Sequence, residues 1–189
     1  MRLTALLLTA VFAAGCANTE QPEPQLDAVT VPAPETQAPA VSDAEIAAIV
    51  VAANEIDAVA GELAAERATR DDVRAFARTM VTDHRAVNQQ AAALIERLGV
   101  TPVPNEVSRS LESDAAKFRE ELSAKPSAEF DLAYIEHEVA YHQAVIDAVD
   151  QLLIPNAQNA ELRQTLVSVR PALVAHLEHA RQLRQTLAE

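Results

Sequence analysis

The sequence predicts an all-α protein built from four long helices and one short one. Three observations carry this. Alanine is abundant, glycine occurs only three times and tryptophan not at all. Apolar residues recur at helical spacing over long stretches, and no segment alternates in the manner of a strand. Capping residues and breakers then divide these stretches cleanly.

Ser42-Asp43-Ala44-Glu45 is a capping box that starts the first helix, which runs to about Ala68. Thr69-Arg70-Asp71-Asp72 repeats the cap spacing, with Thr69 as the cap and an acidic first turn. The second helix continues to Leu98, and Gly99 ends it. After Thr101-Pro102-Val103-Pro104, a short helix beginning at Asn105 aligns Val107, Leu111, Ala115, Phe118 and Leu122. Lys125-Pro126-Ser127 breaks the chain again. The third long helix spans about 128–153 and is expected to stop at Pro155. The last runs from near Asn159 to Leu187. Pro171 lies inside it and is expected to kink or restart it, since proline lacks an N–H and crowds the preceding turn.

The first two long helices are joined tightly, as are the last two, and the short helix lies in the long connection between the second and third. This is the connectivity of a ferritin-like four-helix bundle.

The N-terminus reads differently. One Arg precedes a short apolar run, Leu3 to Phe12, too short for a transmembrane helix of ~20 residues but suited to a secretory signal. Ala13-Ala14-Gly15-Cys16 then resembles a bacterial lipobox, in which the cysteine is acylated and the chain is cut before it. Cys16 is the only cysteine, so no internal disulfide can form. Residues 1–15 are thus expected to be a lipoprotein signal peptide. Residues 16–41 form the lipidated Cys16 and a tether containing Pro22, Pro24, Pro32, Pro34 and Pro39, and residues 42–189 form the bundle. Ala17 replaces the Asp that retains many lipoproteins at an inner membrane, which points to the outer membrane, facing the periplasm. The membrane is therefore the expected partner, through Cys16. A net charge of −13 with no Lys/Arg cluster argues against nucleic acid and against electrostatic docking on anionic lipid.

The chemistry is in polar residues that sit on apolar faces. His142 shares a face with Ile135, Val139, Ile146 and Val149. His84 aligns with Val73, Ala77, Met80, Ala91, Ile95 and Leu98, and His176 with Val169, Leu173, Ala180, Leu183 and Leu187. In the first helix Asp57 lies at the edge of the stripe formed by Ile46, Val50, Ala53, Ala60 and Ala64. Counted at ~1.5 Å per residue, Asp57 and His84 stand ~18 and ~21 Å from the turn that joins their helices. His142 falls at the same level, and His176 within about one turn of it.

Taken singly, an inward histidine is a core residue bonded to a carbonyl or water. Three from separate helices at one depth, with a carboxylate, form a ligand set: Asp57, His84, His142 and His176. Each buried imidazole needs a partner, and one ion would serve them all. Glu138, one turn before His142, is either a further ligand or the partner that orients it. Tyr134 is a donor at the edge of that face. Met80 is either a core residue or a thioether for Cu(I). Asp83 points away from His84 and either orients a group on a neighbouring helix or faces water. His179 is peripheral and His137 is expected to be exposed. A His-rich, carboxylate-poor set suits Zn, Cu, Ni or mononuclear Fe. No Glu or Asp stands three residues before any histidine, so the paired Glu-x-x-His motifs of a di-iron site are missing.

MVTDHRAVN (80–88), FDLAYIEHEVAYH (130–142) and PALVAHLEHARQL (171–183) resemble a bacterial family called domain of unknown function 4142. Its pattern is Met-x-x-Asp-His, then Phe-Asp-x-x-Tyr with a His eight residues after the Tyr, then Pro with a His five residues on. Met80, Asp83, His84, Phe130, Asp131, Tyr134, His142, Pro171 and His176 match it. Asp57, seven residues before Ala64, stands where the family carries a Glu. The resemblance implies a secreted or lipid-anchored, ferritin-like protein of the outer membrane and supplies no activity, so no catalytic residue is assigned. Three functions fit: a metal-binding module for storage, sensing or protection; a metal-dependent redox enzyme; or a structural or partner-binding envelope protein without metal.

Overall fold

A computed structural model describes residues 40–188; the expected signal peptide, Cys16 and nearly all of the tether lie outside them. The described chain is all-helical, as the sequence predicts. Its helices are α1 (Asp43–Arg67), α2 (Asp71–Leu98), α3 (Glu106–Ala124), α4 (Ser127–Ala148), a π turn (Val149–Leu153), α5 (Ile154–Asn156) and α6 (Ala160–Leu187). No helix among the described residues is long and apolar enough to cross a membrane.

Local chemistry explains most of the ends. Ser42 and Glu45 close their capping box, with the Glu45 amide donating to Ser42 Oγ at 3.3 Å and the Ser42 amide to Glu45 Oε2 at 2.9 Å. Asn105 and Ser108 do the same for α3. Gly99 ends α2 in the left-handed region, at φ 63°, a conformation that costs glycine little.

Three expectations need correction. Thr69 does not cap α2. No side chain caps it; the residues leading into it are held instead by Asp131 of α4, whose carboxylate accepts from the Thr69 amide (2.9 Å), the Thr69 hydroxyl (2.7 Å) and the Arg70 amide (2.8 Å). Pro155 does not stop the fourth helix. The π turn just before it widens the helix, relieving the clash with the carbonyl four residues back, and one further α-turn runs through the proline. Pro171 does not restart the last helix, since α6 is assigned without interruption through it. The carbonyl that loses its donor belongs to exposed Val167, where solvent can satisfy it.

The long helices form a closed ring of contacts. α1 packs along α2 and α4 along α6, while α1 also meets α4 and α2 meets α6 more sparsely. α3 lies against α1 and touches α4. At Gly61 the α1–α2 seam is so close that a Cβ would stand 2.9 Å from the Ala77 carbonyl oxygen. The apolar core has two parts. One holds Ala60, Ala64, Val73, Phe76, Met80, Phe130, Tyr134, Ile135, Ala180 and Leu183. The other holds Ile46, Ile49, Leu94, Ile146, Val149, Leu153, Leu166, Leu173 and Leu177. Along every long helix a polar residue separates the two parts: Asp57 on α1, His84 on α2, Glu138 and His142 on α4, and His176 on α6.

Candidate metal centre

The structure brings His84, His142 and His176 into one group and places Asp57 beside His84 and His142. The ring centroids of His84, His142 and His176 form a nearly equilateral triangle with sides of 5.4, 5.4 and 5.6 Å. Their ligand atoms lie within 4.8 Å of one another. Asp57 Oδ2 stands 3.4 Å from His84 Nε2 and 3.6 Å from His142 Nε2. Two donors on one tetrahedral ion at ~2.0–2.1 Å are ~3.4 Å apart, so the carboxylate and these two imidazoles are already near ligand spacing.

Each imidazole is also oriented from behind. His84 Nδ1 pairs with Asn54 Oδ1 at 2.8 Å. The amide of Asn54 cannot be reversed without losing a second bond, because its Nδ2 donates to the Val50 carbonyl at 2.7 Å. His142 Nδ1 pairs with the Glu138 carbonyl oxygen at 3.1 Å, and His176 Nε2 with Asp83 Oδ2 at 2.9 Å. All three partners are oxygen acceptors, so the ring nitrogen facing each one carries the proton. The other nitrogen is then a bare lone pair. His84 Nε2, His142 Nε2 and His176 Nδ1 are buried without a hydrogen-bond partner, as are both oxygens of Asp57. Outer acceptors that fix the tautomer and aim the free nitrogen are the usual support of metal-binding imidazoles.

Burial sets the protonation states. It pushes the His84 imidazolium down to about 3, with His142 and His176 adding repulsion. It lowers His176 as well, against the opposing pull of its bond to Asp83. The carboxyls move the other way. Asp57 is raised well above the ordinary range by burial and by Glu138, with His142 opposing. Glu138, completely buried, rises to about 8. Burial therefore favours the uncharged forms of His84, His176, Asp57 and Glu138.

Glu138 lies beside His142, its Oε2 3.4 Å from Nδ1. Asp57, Glu138 and His142 make a second cluster within ligand reach, sharing His142 with the first. The Tyr134 hydroxyl is near enough to Glu138 to oppose the rise of its pKa, yet the pair does not close a hydrogen bond of standard geometry.

Of the remaining expectations, Asp83 proves to orient His176 on the neighbouring helix, and Met80 is fully buried in the apolar core. His179 is exposed, as expected of a peripheral residue. His137 is not exposed. It is half-buried, stacked on Phe118 at 3.4 Å between centroids and on Tyr141 at 5.5 Å, and burial lowers it to about 4. Two residues escaped the sequence reading. Asn54 sits one turn before Asp57 and was legible by that spacing. Tyr141, whose hydroxyl donates to the Ala53 carbonyl at 2.9 Å, gives no such signal.

A family model described as domain of unknown function (DUF4142) matches residues 28–183. The chain belongs to this family. The matched span includes Asp57, His84, His142 and His176 with all their supporting partners. No curated protein and no solved structure matches the chain.

On one side the imidazoles face a cavity of about 270 Å³. His84, His142, His176 and Asp57 lie at the same end of it, and its remaining walls are mainly apolar.

Proposed function

We propose that this chain is a cell-envelope lipoprotein whose ferritin-like bundle holds one transition-metal ion for storage, sensing or stress protection. The ligands are His84, His142, His176 and Asp57, and the ion is Zn, Cu, Ni or mononuclear Fe. One observation carries the reading: three imidazoles from three helices, each anchored through one nitrogen, present unpartnered nitrogens to a shared point beside an unpartnered carboxylate. None of these atoms has a direct hydrogen-bond partner in the protein, and a buried polar atom left without one costs a few kcal/mol. An ion would supply positive charge to three lone pairs and a carboxylate at once. Glu138 then stays in reserve beside His142.

Protein purified without a histidine tag is expected to carry about one equivalent of metal by elemental analysis. Loading should stabilise the fold by ~2.7 kcal/mol at a hundredfold excess over Kd. For a domain of this size that is a rise in Tm of roughly 5–10 °C over chelator-treated protein. A metal-free protein whose Tm ignores Zn, Cu, Ni, Mn and Fe ions would leave the structural reading in place. The cavity favours a second reading, a redox enzyme, since it leaves an approach to the ion. Peroxide or oxygen turnover by the loaded protein separates the two.

The anchor is tested separately. Cys16→Ser is expected to shift the protein from the membrane fraction to the soluble fraction, or to leave it unprocessed, because several acyl chains make attachment stable. A processed variant that still sediments and needs detergent would exclude the lipidated cysteine.

A further inference from the structure

The cavity has a direction. On each long helix the lining ends at or next to its polar residue: Asp57 on α1, Asp83 and His84 on α2, Tyr141 and His142 on α4, and His176 on α6. From there the cavity runs along the helices toward Gln90, Leu153 and Leu166, over roughly 9–16 Å at ~1.5 Å per residue. Its walls are Val87, Val145, Val149, Leu166, Val169 and Leu173. A narrower and still more apolar space continues beyond, sharing Val50, Val87, Gln90, Leu166 and Val169 and reaching Leu98. Both are lined from α1, α2 and α6, and the main one from α4 as well. The main space is roughly twice the ~150 Å³ of a dry apolar cavity that takes up benzene.

Neither space is lined by Lys or Arg, so no side chain there can neutralise an anion. An ion held by His84, His142, His176 and Asp57, with Asp83 behind His176, would present a Lewis acid at the inner end. A Lewis-acidic end joined to an aliphatic channel suits an aliphatic chain with an oxygen-donor head.

We propose that this cavity binds a medium-chain aliphatic carboxylate, its head ligating the ion held by His84, His142 and His176 and its tail lying along Val87, Val145 and Val169. The inference rests on the metal reading. The carboxylate donates an oxygen lone pair to the ion, and no bond in the ligand breaks and no electron is transferred. Binding therefore needs both ends: the ion for the head and the channel for the tail.

The test is calorimetric titration of acetate, butanoate and octanoate into the full folded chain, once loaded with Zn and once treated with chelator, after Zn uptake itself has been measured. Octanoate is expected to bind only the Zn-loaded protein. Affinity should rise along the series by roughly fourfold per buried methylene. Val169→Phe, which fills the channel, should take up Zn as before and lose the preference for octanoate over acetate. Octanoate binding to metal-free protein, equal affinities along the series, or no binding to a protein that has taken up Zn would each overturn the carboxylate site and leave the metal site standing. A protein that takes up no Zn overturns both.

Discussion

His142→Ala is expected to lose metal affinity by at least a hundredfold, together with the whole rise in Tm that the ion produces, whereas His179→Ala keeps both. His142 is completely buried and belongs to both ligand clusters, one with His84 and His176 and one with Asp57 and Glu138. Removing it takes away a ligand and the residue that links the two. Outer partners of a metal ligand are worth about 10–100-fold in affinity, so the loss of the ligand itself should exceed that. Asn54→Ala, which only frees His84 to rotate, falls within that smaller range. The comparison that decides is the difference in Tm between loaded and chelated protein, not Tm alone. If His142 were an ordinary core residue, the variant would shift both states equally. His137→Ala is the wrong control, because His137 is stacked between Phe118 and Tyr141 and its loss would destabilise the fold by itself.

How much of this was legible depended on the range of each signal. The long helices follow from local chemistry: apolar residues at helical spacing, the Ser42–Glu45 box, the cap at Asn105 and Gly99. The convergence of Asp57, His84, His142 and His176 was legible because helical rise is constant, so residue counts from the turns translate into depth. What the sequence could not reveal is non-local. Asp131 holds the entry to α2 from 61 and 62 residues away, and no spacing rule links it to Thr69 and Arg70. Pro171 reads as a break by its own chemistry, yet α6 runs through it on a solvent-facing side. His137 looked exposed because only the placement of α3 brings Phe118 over it. The cavity is a lack of packing among four helices, and an absence of packing leaves no pattern in one chain.

The metal-free protein should lose stability as the pH rises from about 6 to 8, and metal should reverse that trend. The sign follows from the carboxyls. Glu138 has an ordinary value of 4.5 and is raised to about 8 in the folded protein. Between those values the folded state holds a proton that the unfolded state has released, so stability is full below about 4.5 and declines through about 8. Asp57 is raised as well and acts in the same direction. The imidazoles act at the other end. His84 falls from 6.5 to about 3, so acid protonates the unfolded chain first and stability is lost as the pH drops through that interval. Asp72 and Asp150, held down by Arg70 and Arg170, titrate below the alkaline window. Chelated protein is therefore expected to be most stable near pH 6, where the lowered His84, His137 and His176 balance the raised carboxyls, and to lose on the order of a few kcal/mol by pH 8. A bound ion needs deprotonated ligands, so the metal-induced rise in Tm should grow over the same range. Glu138→Gln removes one of the two raised carboxyls and, with it, the repulsion on Asp57. Its chelated form should have a distinctly flatter slope between pH 6 and 8 while keeping the acid limb. Thermal melts with chelator at pH 4.5, 6, 7 and 8 measure this directly. A wild-type Tm that rises with pH throughout, or a variant with an unchanged alkaline slope, would mean that Glu138 is not held protonated beside His142.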